Sequence, residues 1–381
     1  MRLTLTLLLF ALSGQAQWVS PQPQTYESFS VPAFGSEPVT AVAGNRVLLA
    51  WTQQDFQSGI ARTHIRLLDS EGKPQASIGK LEPFTAGAPM IWPSVASDGT
   101  GFYVVWYEAA GRPLLAGIAL DADGKPIGSP RLLASSVPTD FRPRVSWEGR
   151  AYVTGTPAFP ANVDSTGLPA AGLPVPFIPS GFRYAYRGTL VGVAAINQPQ
   201  IVHCGFSWCT STPPQFILSW TMFRVPVGAT TARVWIRQTG EETVVAGDDR
   251  DAAVVFRLDK VMNVLFLRDS RERLTFAIPD AASYDFRSAA IAFDGERWLV
   301  VLAAKDNRLR GMFFNRDGGS GPLFVIDGGS DTSASPSVVA TQPGRFLVVY
   351  DLVSVDGHRL ASRVVTPSAP GRRRALGGES H

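Results

Sequence analysis

The chain has 381 residues, 45% hydrophobic and 18% charged, with 35 basic against 32 acidic side chains and a formal charge of +3. Setting aside Arg2 near the start and Arg372, Arg373, Arg374 and Glu379 in the tail leaves 31 of each sign, a neutral body. Nucleic-acid binders carry a basic face in their folded part, so nucleic acid is not an expected partner.

Residues 1–16 read as a signal peptide. Arg2 is a short charged start, residues 3–12 are an apolar core too short to cross a bilayer, and Gly14-Gln15-Ala16 offers small residues for cleavage. The mature chain is therefore expected to be secreted or periplasmic. No cysteine follows the apolar core, which argues against a lipid anchor, and no later apolar run reaches ~18 residues, so no membrane span is expected. With 36 Gly, 29 Pro and no apolar period of 3.6 residues over a helical length, long helices are not expected either.

The first mature strand, TYESFSVPA (25–33), stands alone. After it comes PVTAVAGNRVLLAWT (38–52), a short apolar strand, a tight turn and a second strand that is apolar nearly throughout. The same pattern recurs in SVASDGTGFYVVWYE (94–108), RVSWEGRAYVTG (144–155), VVAGDDRDAAVVFRL (244–258), AAIAFDGERWLVVLA (289–303) and SVVATQPGRFLVVYD (337–351). A degenerate copy, FRYAYRGTLVGVAAI (182–196), fills the gap. More polar third strands follow, as in ARTHIRLLDSEGK (61–73), LAGIALDADGK (115–125) and LRGMFFNRDGG (309–319), and fourth strands in PRLLASS (130–136) and PLFVIDG (322–328). Hairpin turns rich in Gly, Asp and Asn join them, so each unit is a small antiparallel sheet.

Residues 102–107 are apolar or aromatic at all six positions, whereas a strand with one wet face should alternate. Leaving half of these side chains in water would waste ~1.5 to 3 kcal/mol apiece in every repeat. Small sheets set radially, each sandwiched by its neighbours, bury both faces, and that is a β-propeller. Seven copies favour seven blades of four strands, with six or eight still open. The last copy lacks a fourth strand and the strand at 25–33 lacks a sheet, so the N-terminal strand is expected to close the ring. The expected domains are the propeller over 17–366, irregular from 156 to 240, and a disordered basic tail over 367–381.

The Asp-Gly turn, the Phe-x-Val-Val-Trp type of strand and the Asp-x-Asp-Gly hairpin resemble the repeats of secreted bacterial β-propeller proteins. The resemblance spans 25–365 and implies a fold and export; it carries no active site.

Candidate sites are sparse. Cys204 and Cys209, in CGFSWC, are the only cysteines, and in an exported chain a close pair reads as a disulfide closing a small loop. Two thiols cannot complete a zinc site, and the hairpin at Asp121-Ala122-Asp123-Gly124 lacks the remaining acids of a calcium loop, so no metal or cofactor is expected. Loops after the second strands carry Asp55, Glu108, Asp259, Asp306 and Asp351, with Arg112, Arg257 and Arg308 as counter-charges. These residues either satisfy turn amides or form a charged rim at the channel mouth. Trp51, Trp106, Trp147 and Trp298 fall at repeat positions and read as core. Trp208, Trp220 and Trp235 do not; they either pack or offer aromatic faces that could stack a glycan, and Trp208 is kept as a binding candidate.

The sequence has no Gly-x-Ser-x-Gly elbow, His-Glu-x-x-His or phosphate loop, and Ser97-Asp98-Gly99 has the wrong spacing for a sialidase box. The leading expectation is a monomeric, non-enzymatic module binding an extracellular or periplasmic protein, peptide or glycan. The alternative is a carbohydrate-active hydrolase or lyase, which needs two carboxylates ~5 to 9.5 Å apart.

Overall fold

In the computed structural model, residues 17–367 are described, apart from 30–35, 56, 110, 138–141, 148–150, 156–159, 171–182, 186–188, 198–201, 205–208, 212–215, 225–227, 237–242, 249, 259–260, 269–270, 280–287, 329–331 and 355–356. Between 183 and 243 the backbone alone is described. The expected signal peptide and most of the expected tail lie outside these residues.

Every described strand pairing is antiparallel. Sheet I contains Val39–Ala43, Arg46–Gln54, Ala61–Asp69 and Gly79–Lys80, and sheet II contains Met90–Ser97, Phe102–Glu108, Leu114–Leu120 and Pro126–Ser135. Sheet III has three described strands, Val145–Trp147, Tyr152–Gly155 and Pro160–Val163. Sheet IV is Arg183–Ala185, Thr189–Asn197, Phe216–Arg224 and Gly228–Ile236, with the hairpin Val202–Cys204 and Cys209–Ser211 inserted between its second and third strands. Sheet V is Thr243–Gly247, Asp251–Leu258, Val261–Arg268 and Arg271–Ala277; sheet VI is Ser288–Phe293, Arg297–Ala303, Leu309–Asn315 and Phe324–Asp327. Sheet VII is Thr332–Gln342, Arg345–Ser354 and Gly357–Thr366, and its outer edge pairs with Gln24–Phe29 and Trp18–Val19 from the other end of the chain. Each copy of the sequence repeat thus supplies the first two strands of one sheet.

The first strand of each sheet lies against the first strand of the next, from I through VII, and that of VII lies against that of I. The doubly apolar strand is explained by this arrangement. All seven residues of Phe102–Glu108 are buried. Phe102, Val104 and Trp106 pack with Leu48 and Ala50 of sheet I, while Tyr103, Val105 and Tyr107 pack with Val145, Tyr152 and Val163 of sheet III. Similar apolar layers join V to VI, VI to VII and VII to I.

Polar clips add direction to this packing. The Trp298 indole donates to the Ala246 carbonyl (3.1 Å), binding VI to V, and the Gly344 amide donates to Asp294 (2.7 Å), binding VII to VI. At the seam between the chain ends, the Tyr26 hydroxyl donates to the Gly72 carbonyl (2.8 Å) and lies 2.8 Å from Ser362 Oγ. Burial pushes this phenol up to about 12. Gly72 has φ +79°, and a Cβ there would meet Ser362 at 2.5 Å, so this hairpin position is restricted to glycine.

The third-to-fourth-strand hairpins are self-contained turns. Asp121 Oδ1 accepts the amides of Asp123 (2.9 Å) and Lys125 (2.8 Å), and Asp69 and Asp164 do the same in their own hairpins.

Candidate functional site

Where the first strands begin, their ends surround a cavity of about 420 Å³. Its described wall comes from sheets I, II, III, V, VI and VII, and its charged lining residues are Glu37, Arg142 and Arg144. This is the face that also carries the loops after the second strands, because the start of a first strand pairs with the end of the second: Met90 opposes Glu108 and Ala334 opposes Asp351.

A local motif builds the mouth. A residue followed by proline precedes the first strand in sheets I and III, as Glu37-Pro38 and Arg142-Pro143, and lies in its first half in sheets II and VII, as Trp92-Pro93 and Ser335-Pro336. Proline pushes the preceding residue toward extended backbone. Yet Glu37, Trp92 and Ser335 have φ of 43°, 53° and 46°, a left-handed conformation that costs a non-glycine residue ~1 to 3 kcal/mol. In sheets II and VII the pair forms a bulge, with register shifts between Ile91 and Ser94 and between Ala334 and Ser337. Bulges re-aim side chains.

The aimed groups meet over the cavity. Arg142, at the start of sheet III, forms an ion pair with Glu37 of sheet I and lies 5.3 Å from the ring centre of Trp92 in sheet II between them. Below, Thr40 Oγ1 and Ser337 Oγ are 2.7 Å apart across the seam of I and VII, and Ser94 Oγ accepts the Val145 amide (3.1 Å). Two arginines and one carboxylate leave the described lining with one excess positive charge. Glu37 is its one acidic residue, so the described lining does not bring together the carboxylate pair that glycoside hydrolysis uses.

The acids singled out from the sequence have separate partners. Asp55 accepts the amides of Ser58 (3.0 Å) and Gln57 (2.9 Å) and lies 3.5 Å from Lys80, and these contacts hold its carboxyl below the usual range. Glu108 is fully buried and accepts from the amides of Phe84 (2.5 Å) and Thr85 (2.9 Å) and from the Trp106 indole (2.9 Å). Asp306 takes both ends of the Arg310 guanidinium, at 2.8 and 2.5 Å, which lowers its pKa. Asp351 is buried; desolvation raises its pKa, while Ser36 Oγ (2.9 Å) and His358 Nδ1 (3.4 Å) pull it back. Arg112 and Arg308 are exposed and Arg257 is half-buried. None of these seven lines the cavity. Asp259 and Trp208 lie outside the described residues. The backbone sets Cys204 directly opposite Cys209 in its hairpin.

No family model matches the chain, and no curated protein matches its sequence. Its fold does have counterparts among solved structures. The β-propeller domain of the Trilobed protease from Pyrococcus furiosus matches with a TM-score of 0.50 at 11% identity, over 86% of this chain and 95% of that one. The fold is a β-propeller. The BP39L lectin from Burkholderia pseudomallei is similar to the same degree, with a TM-score of 0.50 at 12% identity over 90% and 98% of the two chains. So is a protein of unknown function from Dyadobacter fermentans, with a TM-score of 0.50 at 13% identity over 91% and 100%.

Sequence reasoning placed the interesting face of the propeller at the second-strand loops and missed Glu37, Trp92, Arg142 and Arg144. The signal was present. X-Pro recurs at the head of four first strands, each time one or two residues before a valine, with charged or aromatic X in three of them.

Proposed function

We propose that this chain is an exported binding module: a seven-bladed β-propeller, sealed between its N-terminal strand and its last blade, that holds a ligand at one mouth of the central channel. Support for seven blades comes from the seven sequence copies and from first strands that adjoin one another from I to VII and back to I. Support for the seal comes from Gln24–Phe29, which pairs with Gly357–Thr366 in the place of a missing fourth strand. Export is argued from residues 1–16 alone.

One observation carries the binding role. The cavity, about 420 Å³, is within the ~300 to 1,000 Å³ typical of small-ligand sites, and charged and hydroxyl groups converge on it from separate sheets. Backbone strain at three equivalent positions of its rim adds to this, because such strain gathers at ligand clamps. The rigid, doubly buried second strands behind it keep the wall fixed, which lowers the ordering cost of binding.

The test is a screen of glycans, peptides and small metabolites against the exported chain and a plugged variant, Ser288→Trp. Ser288 is half-buried in the cavity wall, so a bulky side chain there fills the space. Ligands of the mouth should lose about tenfold or more in affinity to the plug. Ligands that bind both proteins equally would place function elsewhere.

A further inference from the structure

We infer that the ligand of this mouth is an uncharged, hydroxyl-rich molecule, a neutral sugar or polyol, held by serine and threonine hydroxyls of the first strands. This rests on the reading of the cavity as a binding site.

The charged groups of the lining are already engaged. Arg142 forms its ion pair with Glu37 and lies 5.3 Å from the centre of the Trp92 ring. Arg144 donates to the Pro143 carbonyl (3.1 Å) and has a further partner. A charged ligand would have to displace one of these contacts, exchanging one partly exposed pair for another at little gain. Without such an exchange its charge would enter the cavity unpaired, at the cost of its hydration.

The hydroxyls are differently placed. Five belong to the lining: Thr40 of sheet I, Ser94 of II, Ser288 of VI, and Ser335 and Ser337 of VII. Thr40 and Ser337 share one hydrogen bond across the seam (2.7 Å), which uses one of their two protons. Ser94 accepts the Val145 amide (3.1 Å) and keeps its own proton to donate. The Ser288 and Ser335 hydroxyls make no hydrogen bond among the described residues, and neither is sealed from solvent. At Ser335 the strained backbone (φ +46°) and the register shift between Ala334 and Ser337 take the residue out of the ladder.

A serine hydroxyl rotates and can both give and accept a hydrogen bond, which suits ligand hydroxyls that do the same. Apolar groups alternate with these hydroxyls: Val39 precedes Thr40, Val95 follows Ser94 and Val338 follows Ser337, all in the lining. A sugar ring or a cyclitol presents both kinds of surface, C–H groups on its faces and hydroxyls around its edge.

The experiment is calorimetric titration of the full chain with glucose, galactose, mannose and myo-inositol. Glucuronate, galacturonate, mannuronate and inositol monophosphate serve as charged counterparts, and cyclohexanol as a ring with a single hydroxyl. The variants are Ser288→Ala, Ser335→Ala and Ser288→Trp, with circular dichroism and melting to establish that each is folded. The inference expects at least one neutral probe to bind about tenfold or more tighter than both its charged counterpart and cyclohexanol. Each alanine variant should weaken it about threefold to tenfold, and the plug about tenfold or more. Added salt should leave the affinity unchanged, because no ion pair is exchanged.

No binding of a neutral probe up to about 50 mM would overturn it, as would a charged counterpart or cyclohexanol that binds equally well, or an affinity that falls with salt. Binding that is lost in Ser288→Trp but ignores both alanine variants would overturn the hydroxyl seat while leaving the binding site intact. Sugar binding that ignores the plug would sink both.

Discussion

Removing the Glu108 carboxylate should destabilise the propeller without touching its mouth. Its side chain is fully buried and accepts three hydrogen bonds, two from the loop amides of Phe84 and Thr85 and one from the Trp106 indole. Hydrogen bonds to a charged acceptor contribute ~1.5 to 3 kcal/mol each, and Glu108→Ala would leave three donors facing an empty space. Phe84 is 44% exposed, so the loop can shift and recover water for one or both amides, whereas the indole sits in the core. The net loss should be ~3 to 5 kcal/mol. Glu108→Gln keeps the volume and one acceptor, and turns the other oxygen into a donor facing an N–H, for a loss of ~2 kcal/mol. Urea melts of the three proteins, followed by tryptophan fluorescence, read this as a falling midpoint in the order wild type, Gln, Ala. Asp55→Asn is the control, since its half-buried carboxylate caps its own turn and meets only Lys80 besides, a surface pair worth little in water, and its midpoint should shift much less than that of either Glu108 variant. If Glu108→Ala melts with the wild type, the buried clamp is not there.

Further outcomes follow from the same contacts. His64, half-buried and stacked on Trp51 at 5.7 Å, is pushed down to about 4 by burial first and then by Lys80. Its unfolded form takes up a proton near pH 6.5, so stability should be full above that pH and fall as pH drops toward 4, a slope that His64→Phe removes; a wild-type melting temperature flat over this window would contradict it. Asp351 has the opposite sign: its raised folded pKa means stability is full at low pH and lost as pH rises past the ordinary carboxylate range, so the melting temperature of Asp351→Asn should gain on the wild type as pH rises. A constant difference between the two would show that Asp351 bears no such burden. Cys204 and Cys209 are paired across a two-strand hairpin, a spacing a disulfide can bridge, so unreduced peptides of the chain made in an oxidising compartment should show them joined; free thiols would refute the bond.

The scaffold was legible because it repeats. A run such as Phe102 to Tyr107 states on its own that both faces are covered, and the strand at Gln24–Phe29 pairs with the edge of Gly357–Thr366. The site was less legible, because position in a repeat does not give direction in space. Glu108 and Asp55 both follow second strands, yet one side chain turns fully inward, with Trp106 two residues earlier on the same face, and the other turns to solvent. Arg142 and Glu37 lie two repeats apart in the chain and meet only because the first strands crowd around a common centre. No spacing rule along a sequence predicts that contact, although the X-Pro signature marks the positions where it occurs.

The most direct measurement is a crystal structure of the chain soaked with whichever ligand the screen finds. The account predicts a ring of seven blades and density for the ligand in the cavity lined by Glu37, Arg142, Arg144 and Ser288. A ligand bound on the outer rim or the opposite face, with the cavity empty, would contradict it.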